Sequence, residues 1–405
     1  MIYLSKSEGV GGEIKKMPED FKVMEITQNG IVIQLDRLYA PNDLKMKEDK
    51  ESEFAVFVLQ KKHWNTVQAL IEIAKRLKRG KKSISYAGTK DRIAITVQLA
   101  SIYGVKAEDL EKIKVKDINI NGAWQGEKVE LGSNLGNAFE VRIRNCKRPE
   151  NAQTIIEELG GKIPNYFGEQ RFGMRKNNSR IGLSIVKGDL KKAVMDFLTD
   201  TSNEKDEEAI SARKELEKTE DFENAYESFP KYLKPERAVL FHLLKYKNDY
   251  AGALRKLPRG ILIMFVHALQ AEIFNKELEE RIKENDFKTE MYCKKNFYGF
   301  PDISQIGEEG DFPVINIIGY DTKAGNAYEE EIMKSMGISE ENFKIKSMPE
   351  ISMKGTYRPL FAPLKNLKHA YDEDADIIDL YFELPSGSYA SVLLGELNKN
   401  NDQYE

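Results

Sequence analysis

The stretch Tyr86–Gln98, YAGTKDRIAITVQ, carries the residue best placed for chemistry. Asp91 lies between two cations, Lys90 and Arg92, where a polar loop meets an alternating run. Ile93, Ile95, Val97 and Leu99 alternate there with Ala94, Thr96 and Gln98, which is the period of a strand. A neighbouring cation favours the ionised form of an acid. An ionised acid at the end of a strand can serve as nucleophile or base, and an aspartate at such a junction can equally cap its own turn. Further on, NYFGEQRFG (Asn165–Gly173) gathers aromatic, amide and cationic groups. Aromatic rings stack on extruded bases, and arginine binds phosphate through two donors. A third group is basic: Lys75, Arg76, Lys78, Arg79, Lys81 and Lys82 fall within eight residues, shortly before Asp91. Cations suit a helix C-terminus, but this many exceed what capping needs. Lys78, Arg79, Lys81 and Lys82 are therefore expected to form a phosphate-binding patch.

Other chemistries find no support in the residue pattern. Four scattered histidines match neither a zinc spacing nor a Ser-His-Asp arrangement, and no Walker or dinucleotide glycine motif is present. The chemistry is expected to need no cofactor and no metal. Cys146 and Cys293 lie far apart, no signal-like segment is seen, and no apolar run approaches the roughly 18 residues of a membrane span. The expectation is a cytoplasmic protein with no membrane contact and no obligatory protein partner. The net charge of −4 argues against a generic nucleic-acid binder. Its distribution does not: residues 1–185 carry +8, residues 186–345 carry −8 and residues 346–405 carry −4. Phosphate binding needs a local positive surface rather than a basic whole.

The elements that must position these groups follow from periodicity. Asp20–Ile26 and Ile31–Arg37 read as two strands joined through Asn29-Gly30, a favoured hairpin dipeptide. Phe54–Gln60 is a strand. Asn65 or Thr66 caps a helix running to about Leu77, with Val67, Leu70, Ile71 and Ala74 on one face. Val115–Ile120, Glu127–Leu131 and Phe139–Arg144 read as strands and Asn151–Leu159 as a helix, while Lys354–Pro363 reads as a loop. From about Leu183 the pattern turns helical, through Leu190–Leu198, Ala209–Glu217, Ala238–Leu244 and the long Leu257–Ile282, with strands added between Tyr292 and Ile318. Ile377–Leu384 is a strand, and Ser388 is placed to cap a helix that starts at Tyr389. This order implies an α+β core on a mostly antiparallel sheet with helices on one face. With 405 residues the chain has room for two domains.

The Asp91 segment resembles the GTKD-x-x-A-x-T-x-Q signature of the TruD family of tRNA pseudouridine synthases: Gly88, Thr89, Lys90, Asp91, Ala94, Thr96 and Gln98 all match. NYFGEQRFG and the C-terminal LPSGSYAS resemble two further signatures of that family. The Leu257–Ile282 segment resembles its inserted-domain helix at Phe265, His267 and Gln270. The resemblance implies a pseudouridine-synthase-like catalytic domain split between residues 1–185 and 346–405. A largely helical α/β domain of the TruD type would be inserted at 186–345. It implies isomerisation of uridine in tRNA, at uridine-13, with Asp91 as the one catalytic aspartate and no cofactor. Lys22 would lie beside Asp91, Phe167 would stack on the target uracil, and Asn165 would bond the uracil edge or orient the Asp91 loop. Lys90, Arg92 and Arg171 would complete the substrate contacts, Phe172 would pack in the core, and His267 would be a packed core histidine.

Two rival readings remain open at this point. An RNA-binding or RNA-folding protein without catalysis would use the same basic surface, yet gains nothing from a carboxylate facing phosphates. A metabolic enzyme with a small acidic substrate leaves the split charge unexplained.

Overall fold

Most of the alternating runs become strands. The computed structural model describes residues 1–323, 325–372 and 375–399. Its first strands are β1 (Glu13–Ile14), β2 (Phe21–Ile26), β3 (Phe54–Lys62), β4 (Ile84–Tyr86), β5 (Ile95–Tyr103), β6 (Ile118–Gln125), β7 (Gly136–Arg144) and β8 (Lys162–Pro164). The middle of the chain supplies β9 (Met291–Lys295), β10 (Pro301–Gly307), β11 (Phe312–Ile317) and β12 (Thr356–Pro359). The last stretch supplies β13 (Phe361–Pro363), β14 (Lys365–Asp372) and β15 (Ile377–Pro385). Packing gathers these into two compact units. Of the described residues, the sheet unit holds those in 3–164, 295–302 and 361–399, and the helical unit those in 1–2, 165–294 and 303–360.

In the sheet unit the strand order is β14-β15-β7-β2-β5-β3-β6, with β1 added against β7 and β4 against β5. The β2–β5 pair is parallel, with Lys22 opposite Ile95, and the other pairs are antiparallel. Strand alternation builds a core on each face. Ala55, Phe57 and Leu59 of β3 pack with Ala69, Leu70 and Ile73 of the helix Thr66–Arg76. Asn65 starts that helix, its side chain accepting from the Val67 amide at 2.9 Å. On the other face Val56 and Val58 pack with Met24, Val97, Leu99 and Trp124, beneath Ile33, Tyr39 and Leu44. The fold is α+β on a mostly antiparallel sheet, as the periodicity implies.

The helical unit is organised along the helix Arg259–Glu284, and its own sheet has the order β10-β9-β11-β12. The helix Asn178–Val186 crosses the long helix so closely that a Cβ on Gly182 would lie 2.1 Å from the Phe265 carbonyl oxygen, so glycine is required there. This packing draws residues 165–185 into the helical unit, and the pairing of β12 with β11 draws in 346–360. The compact units thus change over at 164/165 and 360/361, with residues 295–302 joining the sheet unit, whereas the resemblance implies an inserted domain at 186–345. Residues 400–405 of the expected C-terminal segment lie outside the described residues. Among the described residues no helix is long and apolar enough to cross a membrane.

Several expected elements differ. Ile31–Arg37 makes one bridge, Ile26↔Val32, instead of a strand. Both edges of β2 are already taken, by β5 over Lys22–Met24 and by β7 over Phe21–Ile26. Glu127–Leu131 forms no strand, and the Val129 amide is bonded by the Ser101 hydroxyl oxygen at 3.0 Å. The expected Val115–Ile120 strand starts at Ile118 and continues to Gln125, because β3 pairs with it along that length. Lys354–Pro363, expected as a loop, contains β12 and β13. The cap of the last helix, Ala390–Asn398, is Tyr389 rather than Ser388, and no side chain caps it.

Candidate active site

The loop between β4 and β5 is held from beneath by side chains that its own sequence does not reveal. The Gly88 carbonyl accepts from Gln98 Nε2 at 2.8 Å. The Lys90 amide donates to Thr66 Oγ1 at 2.9 Å, and that hydroxyl donates to Gln98 Oε1 at 3.1 Å. Lys90 turns inward, and its ammonium meets Glu25 Oε2 at 2.8 Å with both side chains almost fully buried. The other Glu25 oxygen accepts from the Leu99 amide at 3.0 Å. Lys61 Nζ donates to the Asp91 carbonyl oxygen at 2.8 Å and to that of Lys90 at 3.4 Å. Gln98 and Lys90 are thus explained as scaffolding. Lys90, expected among the substrate contacts, is instead spent on Glu25.

The Asp91 carboxylate keeps 30% exposure and forms an ion pair with Lys15 Nζ at 3.0 Å. That ammonium also lies 4.1 Å over the centre of the Phe21 ring. Burial pushes the Lys61 ammonium down to about 8. The Asp91 charge opposes the shift and the Lys90 charge adds to it.

Lys22 does not pair with Asp91. In register across β2 and β7 it meets Glu140 Oε2 at 2.9 Å. Alternation sends its side chain to the face opposite Phe21, while Lys15 covers Phe21 itself. Lys22 and Glu140 line a cavity of about 370 Å³ together with Gln60, Lys61, Ile95 and Asn119. Arg92 is exposed, as are Lys78, Arg79, Lys81 and Lys82. The helix before these four ends at Arg76, and the Arg79 guanidinium bonds the Gly104 carbonyl. The basic face of β7 is largely neutralised: Arg142 is bidentate to Asp379, and Arg144 is paired with Asp20.

Asn165, Phe167 and Arg171 belong to the helical unit. Phe167 is half-buried and meets Phe274 edge-on, with ring centres 5.5 Å apart. Asn275 fixes its main chain from both sides, accepting from the Phe167 amide at 2.9 Å and donating to its carbonyl at 3.0 Å. The Arg171 guanidinium stands 5.4 Å from the ring centre and that of Arg358 4.1 Å. Asn165 is buried; it donates to the Pro359 carbonyl, and both its oxygens accept from Arg358. Phe172 is half-buried, not a core residue. His267 is half-buried too, and its imidazole is pushed below the usual histidine range by burial and then by the Arg171 charge. Among the described residues no cluster of His, Cys, Asp and Glu could hold a metal ion.

Lys15, Lys61, Glu25, Asn275 and Arg358 were not singled out from the sequence, and Thr66 was read only as a candidate helix cap. Lys61 left one signal: it shares the parity of Ala55, Phe57 and Leu59, so alternation puts a lysine on the helix-covered face.

A partly exposed aspartate thus stands on a hydrogen-bonded loop at the end of a sheet strand in an α+β fold. The sequence model of tRNA pseudouridine synthase D (TruD) matches residues 1–397. A Methanosarcina acetivorans protein assigned by name to tRNA pseudouridine synthase D is 32% identical, over 98% of this chain and 95% of its own length. A Pyrococcus abyssi protein with the same assignment is 33% identical, over 98% of each. The crystal structure of a Methanosarcina mazei protein assigned as TruD superposes with a TM-score of 0.79 at 31% identity, covering 100% of this chain and 97% of that one. The chain belongs to the tRNA pseudouridine synthase D family, whose members are isomerases.

Proposed function

We propose that this protein converts uridine to pseudouridine in tRNA, with uridine-13 as the target and Asp91 as the single catalytic carboxylate. The reaction breaks the C1′–N1 glycosidic bond, turns the uracil and rejoins it through C5. Every atom is retained, so no co-reactant is consumed. The observation that carries this reading is the Asp91 side chain itself. Its loop is bonded inward through Gly88, Lys90 and the Asp91 carbonyl, while the carboxylate stays partly exposed beside Lys15. Such an acid can attack the ribose, attack the base or take a ribose proton. An RNA-binding surface has no use for it.

The remaining roles divide by position. Extruding a uridine from folded RNA costs a few kcal/mol, and stacking on Phe167 offsets part of that cost. Asn165, tied to Arg358, shapes the segment that presents Phe167. Arg92, Arg171, Lys22 and the exposed Lys78, Arg79, Lys81 and Lys82 contact the RNA backbone. A cytoplasmic location fits the two buried cysteine thiols.

The test is incubation with unmodified tRNA transcripts followed by carbodiimide mapping. The parent should form one pseudouridine, at uridine-13. Asp91→Asn should form none while binding tRNA within about threefold of the parent, since the amide keeps the shape and removes the charge. Tight binding by the parent without any pseudouridine would favour a non-catalytic RNA-binding protein. Turnover by Asp91→Asn near the parent rate would remove Asp91 from its role, and modification elsewhere would overturn the choice of uridine.

A further inference from the structure

We infer that Arg358 is a positioning residue that holds the Phe167 ring ready for an extruded base. The inference rests on the reading of Phe167 as the stacking residue and adds the group through which that ring is preorganised. Arg358 lies on β12, opposite Ile315 of β11, in a segment whose sequence shows no strand period. Its guanidinium takes both oxygens of one residue: Nε donates to the Asn165 carbonyl at 2.9 Å and Nη2 to Asn165 Oδ1 at 2.7 Å. Two bonds from one planar fork fix the plane of the guanidinium. That plane then covers the Phe167 ring at 4.1 Å, well inside the range of a cation–π contact, and reaches the Phe274 ring at 5.6 Å.

The ring is thereby restrained in three ways. Arg358 lies over it, Phe274 meets it edge-on, and Asn275 holds its main chain. Phe167 nevertheless stays half-buried, so part of its surface remains open. A ring already fixed loses little freedom when a base stacks on it, and that preorganisation favours the reacting geometry over mere binding. Arg171, at 5.4 Å, makes a looser contact of the same kind.

A phosphate-contacting arginine would look different in solution. Lysine replaces arginine as a point charge but cannot hold two oxygens in one plane. The experiment compares Arg358→Ala, Arg358→Lys, Phe167→Ala and the double variant Phe167→Ala with Arg358→Ala. Each is assayed for single-turnover pseudouridine formation and for tRNA affinity across salt, below its own melting temperature. Both Arg358 variants should slow turnover about tenfold, with affinity and salt slope within about twofold of the parent. The double variant should be no slower than Phe167→Ala alone, because one residue acts through the other. If the alanine variant does not fold, Arg358→Lys carries the test, since it keeps charge and bulk. Parent-like turnover in Arg358→Lys, a salt slope reduced by about one in Arg358→Ala, or additive losses in the double variant would overturn the inference. Parent-like turnover in Phe167→Ala would instead overturn the stacking reading, and this inference with it.

Discussion

Replacing Lys90 by methionine separates a structural cation from a substrate contact. The Lys90 ammonium and the Glu25 carboxylate meet at 2.8 Å with 4% and 1% of their side chains exposed. Methionine keeps the length and bulk of the lysine stem but leaves Glu25 buried with one remaining donor, the Leu99 amide. Breaking a buried pair by removing one partner costs about 3–5 kcal/mol, because the surviving charge has been taken out of water without compensation. At about 2–4 °C per kcal/mol for a unit of this size, the melting temperature should fall by roughly 6–20 °C. Adding Glu25→Gln removes the stranded charge and keeps an oxygen for the Leu99 amide. The double variant should therefore recover at least half of the loss, an outcome that a double-mutant cycle on thermal melts reads directly. Affinity for tRNA, measured across salt on folded protein, should keep its slope. A single variant melting within about 2 °C of the parent, with a salt slope reduced by about one, would refute the reasoning and return Lys90 to the RNA surface.

Lys61 adds a pH dependence of known sign. Its ammonium is pushed down to about 8 by burial, so between pH 8 and the ordinary lysine range the unfolded chain holds a proton that the folded chain has released. Stability should therefore rise with pH across that window, by up to about 3 kcal/mol from this group. The cost is present in full below pH 8. The difference between the melting profiles of the parent and Lys61→Met should show this rise, and a flat difference would exclude it. Lys15→Met should slow single-turnover pseudouridine formation about tenfold or more, because it removes the cation paired with Asp91. Lys22→Met should change the rate by less than about threefold, its partner being Glu140. A larger loss from Lys22 than from Lys15 would reverse that assignment. Neutralising Lys78, Arg79, Lys81 and Lys82 together should weaken all tRNAs alike and reduce the salt slope of log K. Unchanged affinity at low salt would make them a solvated helix end.

What could be read in advance was what depends on near neighbours. The Asp91 loop, the alternation through Leu99 and the helix begun by Asn65 each rest on a few adjacent residues, and the structure repeats them. Partners brought together by the fold could not be read. Lys90 beside an acid looks the same whether its ammonium goes to RNA or to Glu25, 65 residues earlier in the chain. Lys15 reaches Asp91 because β1 returns along β7, and nothing in GGEIKKMPED shows that return. Lys22 was drawn toward Asp91 by family likeness, yet its side of the strand sends it to Glu140. Arg358 was hidden because prolines at 359 and 363 make its strand read as a loop.

The place of β15 in the sheet sets a timetable for synthesis. β15 pairs with β7 from Pro385↔Gly136 to Ile378↔Ile143, between residues roughly 240 apart in the chain. At the usual elongation rates of about 5–20 residues per second, that interval lasts roughly 12–50 s. During it, β7 offers an unsatisfied row of amides and carbonyls, and its own Phe139 still waits for Phe382 to stack at 5.1 Å. An open apolar edge of this kind invites pairing with other nascent chains. The sheet that carries the Asp91 loop is therefore completed only after β15 has been made.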